Sequence, residues 1–217
     1  MSDDPETARQ IAELANDDRP LLVLDVDEVV LEFISPFVAF IDTLGLELRT
    51  DSFRLRGNIF ERATQTAVAS ERVSTLIADF FEVQADWQTA PQGAAEAIAR
   101  LAESAEIVML TAMPHRYRAT RRALLDRLGF PYPLLTTEQP KGPAIRQLRG
   151  AVPRPVAFVD DIARNLLSAR ESVADAHLFH LMAHEELRAL MPPLPEGVVE
   201  TRNWPDAAPK IASALGL

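Results

Sequence analysis

The sequence contains no cysteine, which excludes disulfide bonds, thiolate metal ligands and a cysteine nucleophile. Positive charge is also scarce, since 22 lysine and arginine residues face 32 aspartate and glutamate residues and the formal net charge is -10. A surface of that sign repels phosphate backbones, which argues against general nucleic-acid binding. No stretch approaches the ~18 consecutive apolar residues of a membrane span. The acidic N-terminal residues lack the apolar segment of a secretory signal. We therefore expect a cytoplasmic protein with no nucleic-acid or membrane partner.

The remaining composition is that of an ordinary globular protein. Of the 217 residues, 47% are hydrophobic and 25% are charged. This length suits one domain, or one domain with a modest insertion.

Short apolar runs rich in valine, isoleucine and leucine predict five β-strands, and they lack the polar alternation of a half-exposed sheet. The runs are residues 20–26, 105–112, 131–137, 154–161 and 176–182. Amphipathic segments between them predict helices at 93–103, 116–129 and 141–150. Residues 3–18 also predict a short helix beside the sheet. Alternating strands and helices of this kind indicate an α/β fold with a doubly wound parallel sheet.

One interval departs from the alternation. Residues 46–60 predict a short hairpin and residues 61–81 a long helix, but no further core strand occurs between about Leu31 and Ala90. This interval is too long for an ordinary crossover and too patterned for a loop. We expect a small, mainly helical cap at residues 31–90 and an α/β core domain built from residues 1–30 and 91–217. Residues 191–199, rich in proline, predict a surface loop.

Polar residues capable of chemistry lie at the ends of four of these runs or shortly after them. They are the Asp25-Val26-Asp27 segment, Thr111, Lys141 and the Asp160-Asp161 pair. In a parallel sheet all of them converge on one crevice beyond the carboxyl ends of the strands. Clustered carboxylates need compensating charge, and hard oxygen donors beside a lysine suit Mg2+ with a phosphate group. A carboxylate can attack phosphorus to form an aspartyl-phosphate, while a hydroxyl and an ammonium hold the transferring oxygens. The pattern indicates a cation-dependent phosphoryl-transfer site.

The ordered segments "LLVLDVDEVV", "IVMLTAMP", "PKGPA" and "VAFVDD" resemble the four motifs of the haloacid dehalogenase superfamily of aspartate-nucleophile phosphohydrolases. The resemblance extends from about Leu21 to about Phe179. It implies a phosphatase-type member with a Rossmann-like core, and residues 31–90 lie where that family's type C1 caps occur.

The resemblance also implies catalytic roles, position by position. Asp25 would be the nucleophile, and Asp27 would protonate the leaving oxygen and then activate water. Thr111 would donate a hydrogen bond to the phosphoryl group. Lys141 would neutralise that group and orient Asp25.

The metal ligands implied by the resemblance are Asp25, the backbone carbonyl of Asp27, and the last acidic pair. Asp161 is the first choice for the direct ligand and Asp160 the second, acting through water. Asn165 is a candidate supporting residue one helical turn later. Glu28 departs from the family pattern, because many members have glycine there, and its side chain could alter the turn or add a carboxylate to the site.

The second aspartate, Asp27, narrows the choice of reaction within the family that the sequence resembles. Dehalogenase and phosphonatase branches of the family do without it, whereas an alkoxide leaving group benefits from general acid catalysis, worth about 100- to 10,000-fold. We therefore expect hydrolysis of a small phosphorylated metabolite. Candidate substrate-binding residues are Arg54, Arg56 and Asn58 in the hairpin, and His115 and Arg116 at a predicted helix start.

Other readings stay open at this point. Each motif alone has a structural explanation, since Asp160-Asp161 can cap the following helix and a lone lysine is commonly solvated. A non-catalytic binding or scaffold protein with this fold, a dehalogenase and a phosphotransferase are alternatives. A response-regulator receiver is disfavoured, because there the lysine comes last and the domain is shorter. The sequence carries no signal for an oligomeric state.

Overall fold

The computed structural model describes residues 4–217 except Asn16 and Val152, so residues 1–3 of the expected core domain and parts of the predicted N-terminal segment lie outside the described residues. The helices are α1 (Pro5–Ala12), α2 (Ile34–Asp42), α3 (Ser70–Trp87), α4 (Ala94–Ala102), α5 (Arg118–Arg127), α6 (Lys141–Arg149), α7 (Ala163–Ser172), α8 (Glu185–Arg188) and α9 (Trp204–Leu215). The strands are β1 (Leu21–Leu24), β2 (Leu46–Leu48), β3 (Ile59–Glu61), β4 (Glu106–Thr111), β5 (Leu134–Thr136), β6 (Val156–Asp160), β7 (His177–Leu181) and β8 (Val198–Thr201).

The main sheet has six strands in the order β5-β4-β1-β6-β7-β8, and every neighbouring pair is parallel. The five strands predicted from the apolar runs all form, and the α/β class with a doubly wound parallel sheet is confirmed. The sixth strand, β8, was missed, and it takes Val198 and Val199 out of the predicted loop. This strand lies at the sheet edge with Val199 exposed, so it lacks the continuous apolar run that marks a buried strand.

Helices cover both faces of the sheet. Successive residues of β1 point to opposite faces, so Leu22 and Leu24 join one apolar cluster while Leu21 and Val23 join another. Side chains of α4, α5 and α9 pack into the first cluster, and side chains of α6 and α7 pack into the second. Burial on both sides explains why the strands carry no polar alternation.

Residues 31–90 contain α2, a two-stranded antiparallel sheet of β2 and β3, and α3. The predicted hairpin is confirmed, but the predicted helix at 61–81 is wrong at its start. Glu61 pairs with Leu46 in the hairpin, and α3 begins only at Ser70. Helical periodicity therefore overestimated the length of this helix, because Glu61 pairs in the hairpin instead. The division into core and cap domains stays a prediction.

A third apolar cluster joins this interval to the rest of the chain. Phe33, Phe37 and Phe80 pack together, with Phe33 and Phe37 stacked at 5.5 Å between ring centroids. Met113 and Met182, from segments that follow β4 and β7, belong to the same cluster. The interval is thereby held over the carboxyl ends of the main strands.

The predicted N-terminal helix is confirmed as α1, which lies against β5. Thr7 Oγ1 donates a hydrogen bond of 2.7 Å to the carbonyl of Thr136, and the Gln10 amide contacts the same residue. Within the described part of the chain, no helix combines the length and apolar character needed to cross a membrane.

Candidate active site

The predicted catalytic residues meet at the carboxyl edge of the sheet. Asp25 follows β1 directly, Thr111 is the last residue of β4, and Asp160 is the last residue of β6. Because β1 lies between β4 and β6, these three side chains come from adjacent strands. Lys141, the first residue of α6, lies at the same edge.

Lys141 is buried between two carboxylates. Its Nζ lies 2.7 Å from Asp25 Oδ1 and 2.7 Å from Asp160 Oδ2. Burial alone would lower the pKa of Lys141, but the charges of Asp160 and Asp25 raise it above its usual value, so the side chain is an ammonium ion. Gly142 places this lysine, since a Cβ there would lie 2.0 Å from the backbone oxygen of Ser168 and push α6 away from α7.

Three buried carboxylates lie close together here, and the Lys141 ammonium contacts two of them, Asp25 and Asp160. Asp25, Asp160 and Asp161 each offer an oxygen within 4.8 Å of the others. Burial raises the pKa of Asp25 to about 7, the Lys141 charge opposes this shift, and the Asp160 charge adds to it. Burial, together with the charges of Asp160 and Asp25, also raises the pKa of Asp161 well above its ordinary value. The cluster carries more negative charge than its described protein partners balance, which is the environment that a divalent cation stabilises.

The two acids of the last motif have different surroundings. Asp160 accepts hydrogen bonds from the backbone N–H of Ile162 at 2.8 Å and from the Asn165 amide at 3.0 Å. Together with the Lys141 contact, these bonds occupy both of its oxygens. Asp161 instead lines the pocket described below. The bond from Ile162 closes a turn that precedes α7, and Asp160 does not cap that helix. Asn165 contacts Asp160 from the first turn of α7, as its spacing predicted.

Asp27 is held by residues that sequence reasoning missed. Its Oδ1 accepts hydrogen bonds from Arg121 Nη1 at 2.9 Å and from Gln88 Nε2 at 3.0 Å. Arg121, on α5, is fully buried and also donates to the Gln84 side chain of α3. Arginine and glutamine in amphipathic helices commonly face solvent, so the pattern gave no signal for these contacts; the zero exposure of Arg121 appears only in the fold.

Glu28 adopts the left-handed backbone region with φ of 65°, where glycine is favoured. Its carboxylate accepts three hydrogen bonds from backbone N–H groups, which belong to Phe33 at 2.9 Å, Ile34 at 2.7 Å and His184 at 2.8 Å. Burial raises the pKa of Glu28, and these three N–H groups oppose that shift. Glu28 thus fastens the start of α2 and the segment after β7 to the end of β1. Both of its carboxylate oxygens therefore accept hydrogen bonds from the backbone.

A pocket of about 390 Å³ opens above the carboxylates. Its polar end is formed by Asp25, Asp27, Thr111 and Asp161. The Thr111 hydroxyl faces this end while accepting a hydrogen bond of 3.2 Å from the Met113 N–H, which fixes its rotamer. The predicted nucleophile, acid, hydroxyl and metal ligand therefore border one cavity.

No protein-family model matches the sequence, and no curated protein matches it significantly. Solved structures do match. A haloacid dehalogenase-like protein of unknown function from Agrobacterium tumefaciens superposes with a TM-score of 0.58 at 15% identity, covering 92% of this chain and all (100%) of that one. D,D-heptose 1,7-bisphosphate phosphatase from B. bronchiseptica, complexed with magnesium and phosphate, superposes with a TM-score of 0.55 at 18% identity. The match covers 89% of this chain and 98% of that one. A HAD family hydrolase from Deinococcus radiodurans with bound phosphate and sodium superposes with a TM-score of 0.55 at 15% identity. The match covers 92% of this chain and 97% of that one.

The chain has the haloacid dehalogenase-like fold. The resemblance drawn from the four motifs is therefore confirmed at the level of fold. In this haloacid dehalogenase-like chain, the interval between the first and second motifs holds α2, the hairpin and α3.

Of the three hairpin residues predicted to select substrate, Arg54 lines the pocket. Arg56 instead donates a hydrogen bond of 3.0 Å to Ser74 Oγ on α3. The Asn58 amide donates to Ser52 and to the Arg54 carbonyl, which closes the hairpin loop. Neither Arg56 nor Asn58 lines the pocket.

His115 and Arg116 do not line the pocket either. His115 contacts Thr136 Oγ1 at 2.6 Å and Asp4 Oδ2 at 3.1 Å, which ties α1 to the sheet. Arg116 lies over the Tyr117 ring at 4.4 Å and donates to its hydroxyl. A short 3₁₀ turn at His115–Tyr117 precedes α5. The role of His115 and Arg116 in substrate binding stays a prediction, and the contacts of both side chains lie within the protein.

Proposed function

We propose that the protein is a Mg2+-dependent phosphomonoesterase that hydrolyses a small phosphorylated metabolite through an aspartyl-phosphate intermediate. The observation that carries this proposal is the cluster of Asp25, Asp160 and Asp161, two of which contact Lys141, at a pocket that can hold a compact ligand. The magnesium- and phosphate-bound heptose bisphosphate phosphatase has the same fold and supports it by analogy.

The chain's own donors fit Mg2+. The cluster offers only oxygen ligands, it is buried, and its charge exceeds that of Lys141. Asp25, Asp161 and the backbone carbonyl of Asp27 would hold the ion, with Asp160 acting through water. When bound, Mg2+ supplies positive charge to the carboxylates and to the phosphoryl oxygens.

In the first step, an Asp25 carboxylate oxygen attacks phosphorus while the ester P–O bond breaks. The departing oxygen takes a proton from Asp27, so the products are an alcohol and an aspartyl-phosphate. The Thr111 hydroxyl and the Lys141 ammonium hold the phosphoryl oxygens as negative charge shifts onto them.

In the second step, Asp27, now a carboxylate, removes a proton from water. The resulting hydroxide attacks phosphorus, the bond to Asp25 breaks, and inorganic phosphate leaves. The contacts from Arg121 and Gln88 fix Asp27 at the pocket edge for both transfers.

The test is release of inorganic phosphate from a panel of phosphate monoesters by wild type with Mg2+, wild type with EDTA, and Asp25→Asn with Mg2+. Asp25→Asn keeps the side-chain size but removes the attacking charge, so turnover should fall by at least about 1,000-fold. Asp79→Asn, on the exposed face of α3, is a matched control that should leave turnover unchanged.

Metal-dependent hydrolysis that is lost in Asp25→Asn would support the proposal. A folded wild type that binds Mg2+ but hydrolyses no ester in the panel would refute it and favour a binding or scaffold role.

A further inference from the structure

Away from the carboxylates, the pocket wall is apolar. Residues 31–90 contribute Phe33, Ile34, Phe53, Arg54, Leu55, Ile77 and Phe81 to its lining, and Arg54 is the single polar side chain among them. The segments after β4 and β7 add Met113, Met182 and Leu187. The wall therefore surrounds the part of a ligand that projects away from its phosphate.

Apart from the guanidinium groups of Arg54 and Arg164, the polar side chains of the pocket lining either form hydrogen bonds within the protein or lie at the phosphate end. The Glu28 oxygens accept three backbone N–H groups, and the Asn165 amide donates to Asp160. Arg54 and Arg164 are the cations of the lining, and both are exposed. Within the described residues, no hydroxyl, amide or imidazole side chain from 31–90 faces the pocket.

Resting on the proposed phosphomonoesterase function, we propose that the preferred substrate carries an apolar organic group, aromatic or branched aliphatic, on its phosphate. A polyhydroxylated group such as a sugar is selected against. A buried hydroxyl without a partner loses its hydrogen bonds to water and gains none, and each such loss weakens binding by roughly tenfold. An apolar group instead removes the half-buried Phe53, Leu55 and Ile77 from water.

The volume of the pocket sets how much of that group the wall can enclose. A cavity of about 390 Å³ that must also hold a phosphate lies near the lower end of small-molecule sites. A single ring or a short branched chain fits this volume.

The test compares kcat/KM for benzyl phosphate and for glycerol 3-phosphate, both esters of primary alcohols, with Mg2+ present. The two hydroxyls of glycerol should lower kcat/KM by at least about 30-fold relative to the benzyl ester. Acetyl phosphate serves as a third substrate, because its small acyl group scarcely reaches the wall.

A polar substitution in the wall should reduce the preference. Ile77→Asn is expected to lower the ratio of benzyl to glycerol kcat/KM by about tenfold, and Leu55→Asn on the hairpin provides a second variant if the first fails to fold. Thr75→Asn lies on the same helix with its side chain exposed, so it should leave the ratio unchanged.

The outcomes separate the two proposals. Hydrolysis of acetyl phosphate with equal or faster turnover of glycerol 3-phosphate would overturn the apolar-substrate inference and leave the phosphatase proposal standing. Hydrolysis of none of the three compounds, the two esters and the acyl phosphate, would overturn both. A benzyl preference that both wall variants leave intact would also overturn the assignment to this pocket.

Discussion

Replacing Asp25 by asparagine should change how the stability of the metal-free protein depends on pH. Asp25 is buried beside Asp160 and Asp161, with Lys141 as its ion-pair partner. The substitution removes one negative charge from the cluster at nearly constant volume. It also removes one of the carboxyl groups whose ionisation the fold resists.

The size of the effect follows from the pKa of Asp25, which is about 7 in the folded protein against an ordinary value of 3.8. Between these two values the folded state binds more protons than the unfolded chain, so the free energy of unfolding falls as the pH rises. The loss ends above the folded pKa. For one such site, stability drops by roughly 2 to 3 kcal/mol between about pH 5 and about pH 8.

Wild type should therefore lose roughly 2 to 3 kcal/mol more stability than Asp25→Asn over that range. Urea unfolding in EDTA, followed by far-ultraviolet circular dichroism at several pH values, measures this difference. Asp86→Asn, an exposed residue of α3 with the same charge change, should run parallel to wild type.

Parallel pH profiles for wild type and Asp25→Asn would refute the reasoning, because they would mean that the fold does not penalise the Asp25 carboxylate. Added Mg2+ should flatten the wild-type profile, since a bound cation favours the ionised form. A wild-type profile that keeps its slope in saturating Mg2+ would contradict the metal assignment.

Three further predictions concern residues around the site. Arg121→Met should lower kcat by about 100-fold and alter the kcat pH profile, because Asp27 loses its buried partner; an unchanged profile would contradict the positioning role. Arg54→Gln should raise KM several-fold for an anionic substrate at about 0.15 M salt, whereas Arg56→Gln, outside the pocket, should not, and equal effects would refute the placement. Glu28→Gly should destabilise the protein by about 2 to 4 kcal/mol in urea unfolding, since three backbone N–H groups, two of them buried, lose their acceptor and relief of the left-handed backbone returns only about 1 kcal/mol; a more stable variant would show that backbone strain dominates.

The amino-acid sequence by itself determined five of the six strands of the main sheet and the order of the catalytic segments. Continuous apolar runs mark strands buried on both faces, and apart from residues 31–90 the segments between them have the length of crossover helices. Once the strands are parallel, Asp25, Thr111 and Asp160 must share one edge, so this part of the site follows from local pattern and topology. The sequence did not predict the edge strand β8, because a short, exposed strand has no such pattern.

Only the tertiary structure decided what surrounds those residues. Arg121 reaches Asp27 across 94 positions of sequence, and Glu28 reaches the His184 N–H across 156, so no local period records either contact. The orientation of the hairpin placed Arg54 in the pocket and Arg56 outside it, although the two are separated by one residue. Spacing along the chain fixes which groups leave the sheet edge, whereas packing between distant elements fixes where each side chain points and how apolar the space above the carboxylates becomes.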